Sequence, residues 1–574
     1  MTSPVAKRST AGLETWLIGG LLLLLVGLVV ATVLLGSVPP VDRDALTHHL
    51  FVPRLWLEHG GIHEIPEIPF SYYPMNLDLL YTVPLALGND IVPKYIHYLF
   101  ALLTALLLHR HIARRLGRVY GLLGAVFFLS VPVILKLSIT VYVDLGLVFF
   151  TTAALLLLLR WAEEGFPWRW LVLAGLCCGL GAGTKYNGLI AVVALTLLVP
   201  VLYQRGAGEA KQSNGRALLC GLVFALATLT AFSPWLVRNY LWTGNPIYPL
   251  HDRLFQQLAG PDASRQAAAA GSDSELRQQT DAPRANVFVA RKILYDESWW
   301  QALLLPVRFF FEGRDDDPRY FDGKLNPFLL VLPVLAFLFR PEEMQRRREQ
   351  VFLLAFTLLA FFFTFFQESL RIRYVVVIVP PLVILAMDGL QGLLGAVASR
   401  TGAGRSRTVA VLLVAVCVSG LMLAYNGRYL GEQFTVVKPL PYLRGEVSRD
   451  DYITAFRPEY PAIRFANATL PPDARVLCLF LGNRGYYMNF KPVFEQPHEN
   501  GLFARFLAAP EQSLAITAAM REKGITHVLM RDDLTAAWLH QLDEADRQRI
   551  APLFAHAAQP LLRQNGHSIF PIAD

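Results

Sequence analysis

The chain has 574 residues, 54% of them hydrophobic and 17% charged, with a formal net charge of +7. The apolar residues fall in blocks long enough to cross a bilayer, which excludes a water-soluble globular fold and predicts a polytopic all-α membrane protein. Nor does the basicity predict a nucleic-acid partner. With the N-terminus inside, the loops on that side hold 18 Lys and Arg against 7 in the short loops of the other, which is the positive-inside pattern.

In chain order, about 11 spans are expected, near 15–37, 92–111, 119–135, 144–160, 169–184, 186–204, 217–236, 326–340, 351–366, 374–394 and 409–425. The first block is too long for the apolar core of a signal peptide and reads as a retained helix. An odd number of spans from a cytoplasmic start puts residues 426–574 outside, beyond a membrane part of residues 1–425. Two large outer loops are expected, 38–91 and 237–325. The first carries two helical patterns, "DALTHHLFVPRLWLEHG" and "MNLDLLYTVPLAL". The polar middle of the second, "GPDASRQAAAAGSDSELRQQTDAPRA", reads as mobile or disordered, and "WWQALLLPVRFFFEG" after it as an interfacial helix. Beyond residue 426, "ARVLCLFL" and "THVLM" predict buried strands and "SLAITAAMREKG" a helix closed by Gly524, hence a small α/β domain. Within it "FLGNRGYYM" is a poor match to a dinucleotide-binding loop. The 5 cysteines suggest no disulfide framework.

Ionisable groups near a membrane are expensive, so their positions carry functional information. Asp42 and Asp44 follow the first span, Asp144 opens the fourth, Lys185 sits in the turn "GTKYNGL", and Arg371 and Arg373 end the ninth. By topology all six come to the outer face. Each also has a structural reading: Asp44 and Asp144 as helix caps, Asp42 as a cap or solvated loop residue, Lys185 as a snorkelling side chain, Arg373 as an interfacial anchor. Their gathering on one side favours a site. Carboxylates and cations at a membrane surface suit group transfer: an acid takes a proton from an acceptor hydroxyl, and cations hold a leaving phosphate.

These motifs resemble the GT-C membrane glycosyltransferases that use polyprenyl-phosphate sugars, above all the protein O-mannosyltransferase and lipid A aminoarabinose-transferase branch. That family's first outer loop opens with Asp-Glu-x-x-Tyr or Asp-x-x-x-Tyr-His. Here it reads Asp44-Ala45-Leu46-Thr47-His48-His49, without the second acid and with His48 at the aromatic position. "SYYPMNLDLLY" resembles the family's acid before Leu-Tyr, "YVDLGLVF" its second-loop Asp motif and "TKYNGL" its Lys-x-x-Gly-Leu turn. "SPWLVRNYLWTGNPIYP" and "RIRYVVVIVPPLVIL" resemble two further segments of bacterial members. The resemblance implies Asp44 as general base, with Asp144 orienting the acceptor or supporting the base. It implies Lys185, Arg373, Arg371 and Arg238 on the donor phosphate, and Asp42, His49, Tyr73, Asp78 and Tyr186 in substrate binding. His49, at a helical i+5 offset from Asp44, is expected off the same face. Asp44, Asp78 and His49 could supply a divalent metal site, and metal-free catalysis is equally compatible. The implied partners are a polyprenyl-phosphate donor of a hexosyl or pentosyl group and a lipid, glycan or protein acceptor at a bacterial inner membrane. Two alternatives stay open. An O-antigen ligase or polymerase using a pyrophosphate lipid leans on arginines and a histidine in a late outer loop. A transporter shows paired inverted repeats with helices broken at mid-membrane.

Overall fold

The structure is a computed structural model that describes residues 4–206, 213–259, 287–365, 370–402, 404–495, 501–508 and 516–572. The polar stretch 260–285 expected to be mobile lies outside the described residues, as do 513–515 of the expected helix "SLAITAAMREKG".

All eleven expected spans are helical. The first ten helices in chain order are α1 (Pro4–Gly36), α2 (Phe51–His59), α3 (Asn76–Ala86), α4 (Val92–Leu116), α5 (Arg118–Ser130), α6 (Pro132–Ser138), α7 (Asp144–Glu163), α8 (Trp168–Ala182), α9 (Gly188–Gly206) and α10 (Asn214–Thr243). Helices Phe328–Leu338, Met344–Thr364, Val379–Arg400 and Arg405–Val437 supply the rest. Among the described residues, 7 helices are long and apolar enough to cross a membrane, or 8 if the bent pair α5–α6 counts as one. Trp168–Ala182 and Phe328–Leu338 are shorter apolar helices, and Met344–Thr364 opens on the charged turn "MQRRRE". The chain is an integral membrane protein.

Local chemistry explains the departures from straight spans. α5 and α6 meet at 65° across Val131, where Pro132 cannot continue the helical hydrogen bonding. The amide of Val133 that this break frees donates to the carbonyl of Lys324 at 3.0 Å, as a buried polar group must find a partner. Helix α8 lies close against α10 because Gly175 and Gly179 are one turn apart on the contact face. A Cβ on Gly179 would stand 2.2 Å from the carbonyl oxygen of Thr228.

Within the first loop, the expected helix after Asp44 is split. Residues Ala45–His49 form a single π turn, with the amide of Leu50 donating to Ala45 O at 2.9 Å, and α2 follows. The expected interfacial helix in the second loop is two short helices, Trp299–Leu303 and Leu305–Phe311. Its aromatic residues divide between an exposed Trp299–Trp300 stack and buried Phe309 and Phe310.

The C-terminal region carries a five-stranded sheet of order β2-β1-β3-β5-β4. Strands β1 (Arg475–Leu479), β2 (Lys491–Glu495) and β3 (Ile525–Arg531) are parallel, and β5 (His567–Pro571) joins β3 antiparallel with β4 (Leu562–Gln564) outside it. β1 and β3, the two strands expected from sequence, are the central buried ones, while β2 contains Pro492 and sits at an edge, where its missing amide is tolerated. The loop Gly482–Asn489 between β1 and β2 docks on the first loop. Its Tyr486 amide donates to Leu46 O at 3.1 Å, inside the π turn. Tyr487 donates its hydroxyl to Pro40 O at 2.8 Å, and Arg54 donates to Tyr486 O at 2.5 Å and to Asn489 at 3.2 Å. Gly485 lies flat on Phe51: a Cβ there would come within 2.3 Å of the ring.

Candidate active site

Four of the six polar residues that topology gathers at one end of the helices form two ion pairs. Arg373 donates to Asp44 Oδ2 at 2.6 Å, and Lys185 donates to Asp144 Oδ1 at 2.7 Å. Neither acid is a cap: no side-chain capping bond forms at Asp44 or at the start of α7. Nor does Lys185 or Arg373 merely reach for the interface, since each is bound to a half-buried or buried carboxylate. Tyr142 and Tyr374 stand between the pairs. The Arg373 guanidinium lies 5.2 Å from the Tyr142 ring centre and 5.3 Å from that of Tyr374, and the Lys185 ammonium lies 5.6 Å from Tyr374.

The backbone explains how these groups converge. Asp144 is the first residue of α7, where the helix dipole favours an anion. Beneath it, His97 on α4 accepts from the amide of Leu145 at 2.9 Å through Nε2, so its proton sits on Nδ1, which donates to Thr140 O at 3.1 Å. Its buried ring thereby fixes the start of α7. One of the two Asp144 oxygens, Oδ2, is buried without a partner.

The π turn corrects the expectation for His49. In an α-helix the i+5 residue points well away from residue i, but a π turn adds a residue per turn and swings His49 back toward Asp44. His49 Nδ1 meets Asp78 Oδ1 at 2.7 Å, and its ring feels the charges of Asp44, Lys185, Asp144 and Arg373. His48 stacks on Phe70 with ring centres 4.6 Å apart. Burial pushes both imidazoles down, each to about 3, and pushes Asp78 up to about 7, so both rings are neutral at pH 7. Burial also raises Asp44, but Arg373 and the two histidines outweigh it and hold this carboxyl below its ordinary range.

Other expected site residues fall elsewhere. Arg371 turns to Asp322 at 3.3 Å, away from the Asp44 pair. Arg238, sandwiched by Trp235 and Trp242, donates to Tyr72 O at 2.6 Å and to Asn239 at 2.8 Å. It belongs with Tyr73 and Tyr186 in a second layer where Tyr186 donates to Tyr248 O at 2.9 Å and its ring packs edge-on to Tyr73. Asp42 is half-buried, and its charge acts on Tyr452 and Arg457 of the C-terminal region. The residues do not fit the metal site considered from sequence. Asp44 is taken by Arg373 and Asp78 by His49, and among the described residues no three His, Cys, Asp or Glu side chains are grouped to hold an ion. Tyr142, Tyr374 and His97 are site residues that sequence reasoning missed. Tyr142 and Tyr374 each lie within two positions of a residue it had chosen, and the alternation of aromatic and charged residues was the available signal.

Comparison with known proteins bears on the fold. Residues 85–237 match the model of the dolichyl-phosphate-mannose-protein mannosyltransferase family. No curated protein sequence matches the chain. In three dimensions it is similar to ArnT from Cupriavidus metallidurans bound to undecaprenyl phosphate, at 16% identity over 97% of this chain and 98% of that one, with a TM-score of 0.54. The apo state of the same protein gives 14% identity, 98% of each chain and a TM-score of 0.55. The apo oligosaccharyltransferase of Archaeoglobus fulgidus gives 13% identity over 93% of this chain and 72% of that one, with a TM-score of 0.52. The chain therefore has the GT-C fold of polytopic membrane glycosyltransferases, followed by a small α/β region.

Proposed function

We propose that the protein transfers a sugar from a polyprenyl-phosphate donor to an acceptor hydroxyl at the outer face of a bacterial inner membrane. The N-terminus is cytoplasmic on this reading, residues 1–425 are catalytic, and residues 426–574 form the outer domain. The observation that carries the reading is the adjacency of two carboxylate–cation pairs, Asp44–Arg373 and Asp144–Lys185. A donor phosphodiester carries one negative charge over two oxygens and competes for both cations, and the charge they face grows as the phosphate leaves as a monoester. Once it claims Arg373, the strongest partner holding Asp44 deprotonated is gone, and burial raises its affinity for a proton. Donor binding thus turns a quiet ion-paired carboxylate into a base. Asp44 then takes the acceptor's hydroxyl proton, the oxygen attacks the anomeric carbon, and the bond from that carbon to the phosphate oxygen breaks. The leaving polyprenyl phosphate keeps the electron pair and is stabilised by Arg373 and Lys185. Asp144 holds Lys185 in place and offers its free oxygen to the acceptor. The match to a mannosyltransferase family model and the fold shared with a protein crystallised with undecaprenyl phosphate support this donor class.

Sugar release from a synthetic polyprenyl-phosphate sugar by purified protein tests the reading. Turnover is expected with monophosphate donors. Activity confined to a pyrophosphate-linked glycan would replace this reading with that of a glycan ligase.

A further inference from the structure

At the other end of the same helices lies a cavity of about 900 Å³ bordered by α1, α4, α5 and α7. We propose that it is a binding site for an anionic phospholipid, with the headgroup phosphate on Arg110, Arg114 and Arg118 and an acyl chain along the apolar wall.

Charge comes first. Four arginines and two histidines line the cavity, and no acid does. Arg110, Arg114 and Arg118 are exposed and have no carboxylate partner among the described residues. Their neighbours are different: Arg115 is bound by Glu163 and by Glu349, and Arg160 by Glu164 at 2.7 Å. Carboxylates are therefore within reach of this end of the bundle, yet they serve the other arginines. Arg110 and Arg114 are four residues apart on α4, so their charges repel on one face, and an anion between them removes that repulsion. His109 Nδ1 is also buried without a partner, beside Gly121 of α5.

The walls decide what kind of anion fits. Ile18 and Leu22 of α1 face Leu156 and Leu157 of α7 across the cavity, within segments that cross the membrane. Leu22 is 45% exposed, so the wall continues onto the lipid-facing surface. A soluble anion would leave that apolar surface uncovered, and a neutral lipid would leave three guanidinium groups unpaired. A phospholipid with a net negative headgroup satisfies both, and basic pockets between spans recognise such headgroups. On the orientation proposed above, the lipid belongs to the inner leaflet. The site does not depend on the reaction assigned to the opposite end.

Native mass spectrometry of the full chain in detergent, with added phosphatidylglycerol or phosphatidylcholine of identical acyl chains, provides the test. The wild type is expected to retain one phosphatidylglycerol at least tenfold more strongly than phosphatidylcholine. Replacing Arg110, Arg114 and Arg118 together with Gln should abolish the preference. Leu157→Trp, which narrows the apolar wall of the cavity and keeps every charge, should weaken retention of the same lipid, so a folding defect of the triple variant would not leave the idea untested. Equal retention of the two lipids by the wild type would overturn the site. So would unchanged phosphatidylglycerol retention in both variants, or selective displacement of that lipid by undecaprenyl phosphate.

Discussion

Both ends of the helical bundle bury ion pairs, and they are built differently. At one end, His111 of α4 meets Glu349 at 2.5 Å, Arg115 bridges to the same carboxylate at 3.0 Å, and Arg346 holds Asp388 at 2.6 Å. Every one of these residues stands on a regular helix, so each pair ties one helix to another. At the other end, Asp44 opens a π turn, Lys185 sits in a turn, and Arg373 lies in the short 3₁₀ segment Ile372–Ile378. Asp144 is the first residue of α7, so each pair has at least one partner on an irregular segment, whose backbone can adjust when a partner is exchanged. Pairs of similar length thus serve opposite ends on the proposed reading: one set holds the bundle, the other trades a carboxylate for a phosphate.

Substitutions should separate the two roles. The largest expected effect is on catalysis: Asp44→Asn should lower turnover by roughly 10²–10⁴-fold, with a melting temperature close to wild type. A large loss of stability with turnover retained would assign Asp44 to the structural set. Glu349→Gln should do the reverse. Removing one partner of so buried a pair costs about 3–5 kcal/mol, read as a lower denaturation midpoint, while turnover at permissive temperature stays within about twofold. Lys185→Gln should raise the donor KM or lower kcat/KM by roughly 10–100-fold, as expected for the loss of one charge-assisted contact. The smallest effect concerns pH. Burial holds His48 at about 3, below its ordinary 6.5, so the unfolded chain binds the extra proton first. Its contribution to stability is complete above pH 6.5 and is lost as pH falls from there toward 3. The slope is about 1.4 kcal/mol per pH unit for one histidine. His48→Gln should flatten thermal stability between pH 6.5 and 4.5 by that amount, and an unchanged slope would mean the ring is already charged in the folded protein.

The helical spans, the two central strands and the gathering of Asp44, Asp144, Lys185 and Arg373 at one end of the bundle could all be read from the sequence, because each rests on apolar block length or on charge placed next to such a block. Partner choice could not. That Asp44 pairs with Arg373, 329 positions away, and Asp144 with Lys185 follows from packing alone. The π turn was hidden for a related reason: nothing in "ALTHH" announces one extra residue per turn, and the geometry is imposed by Asp78 on one flank and the Tyr486 amide on the other. Arg238 misled because an arginine among aromatic residues looks alike in sequence whether it grips a phosphate or, as here, a backbone carbonyl.

The contact of the β1–β2 loop with Leu46 has a consequence for how the protein comes into being. Synthesis delivers residue 46 long before residue 486, and a helix of 33 residues, Arg405–Val437, must be in place before the sheet can reach back. Until the sheet folds, the carbonyl of Leu46 lacks its partner, and Phe51 lacks the glycine that lies on it. The turn that carries both histidines therefore acquires its final shape only with the sheet, although it is made long before it. A chain interrupted before the sheet would reach the membrane with every charged side chain of the cluster already translated and still be unfinished. Folding of the sheet and the final shape of this turn become a single event.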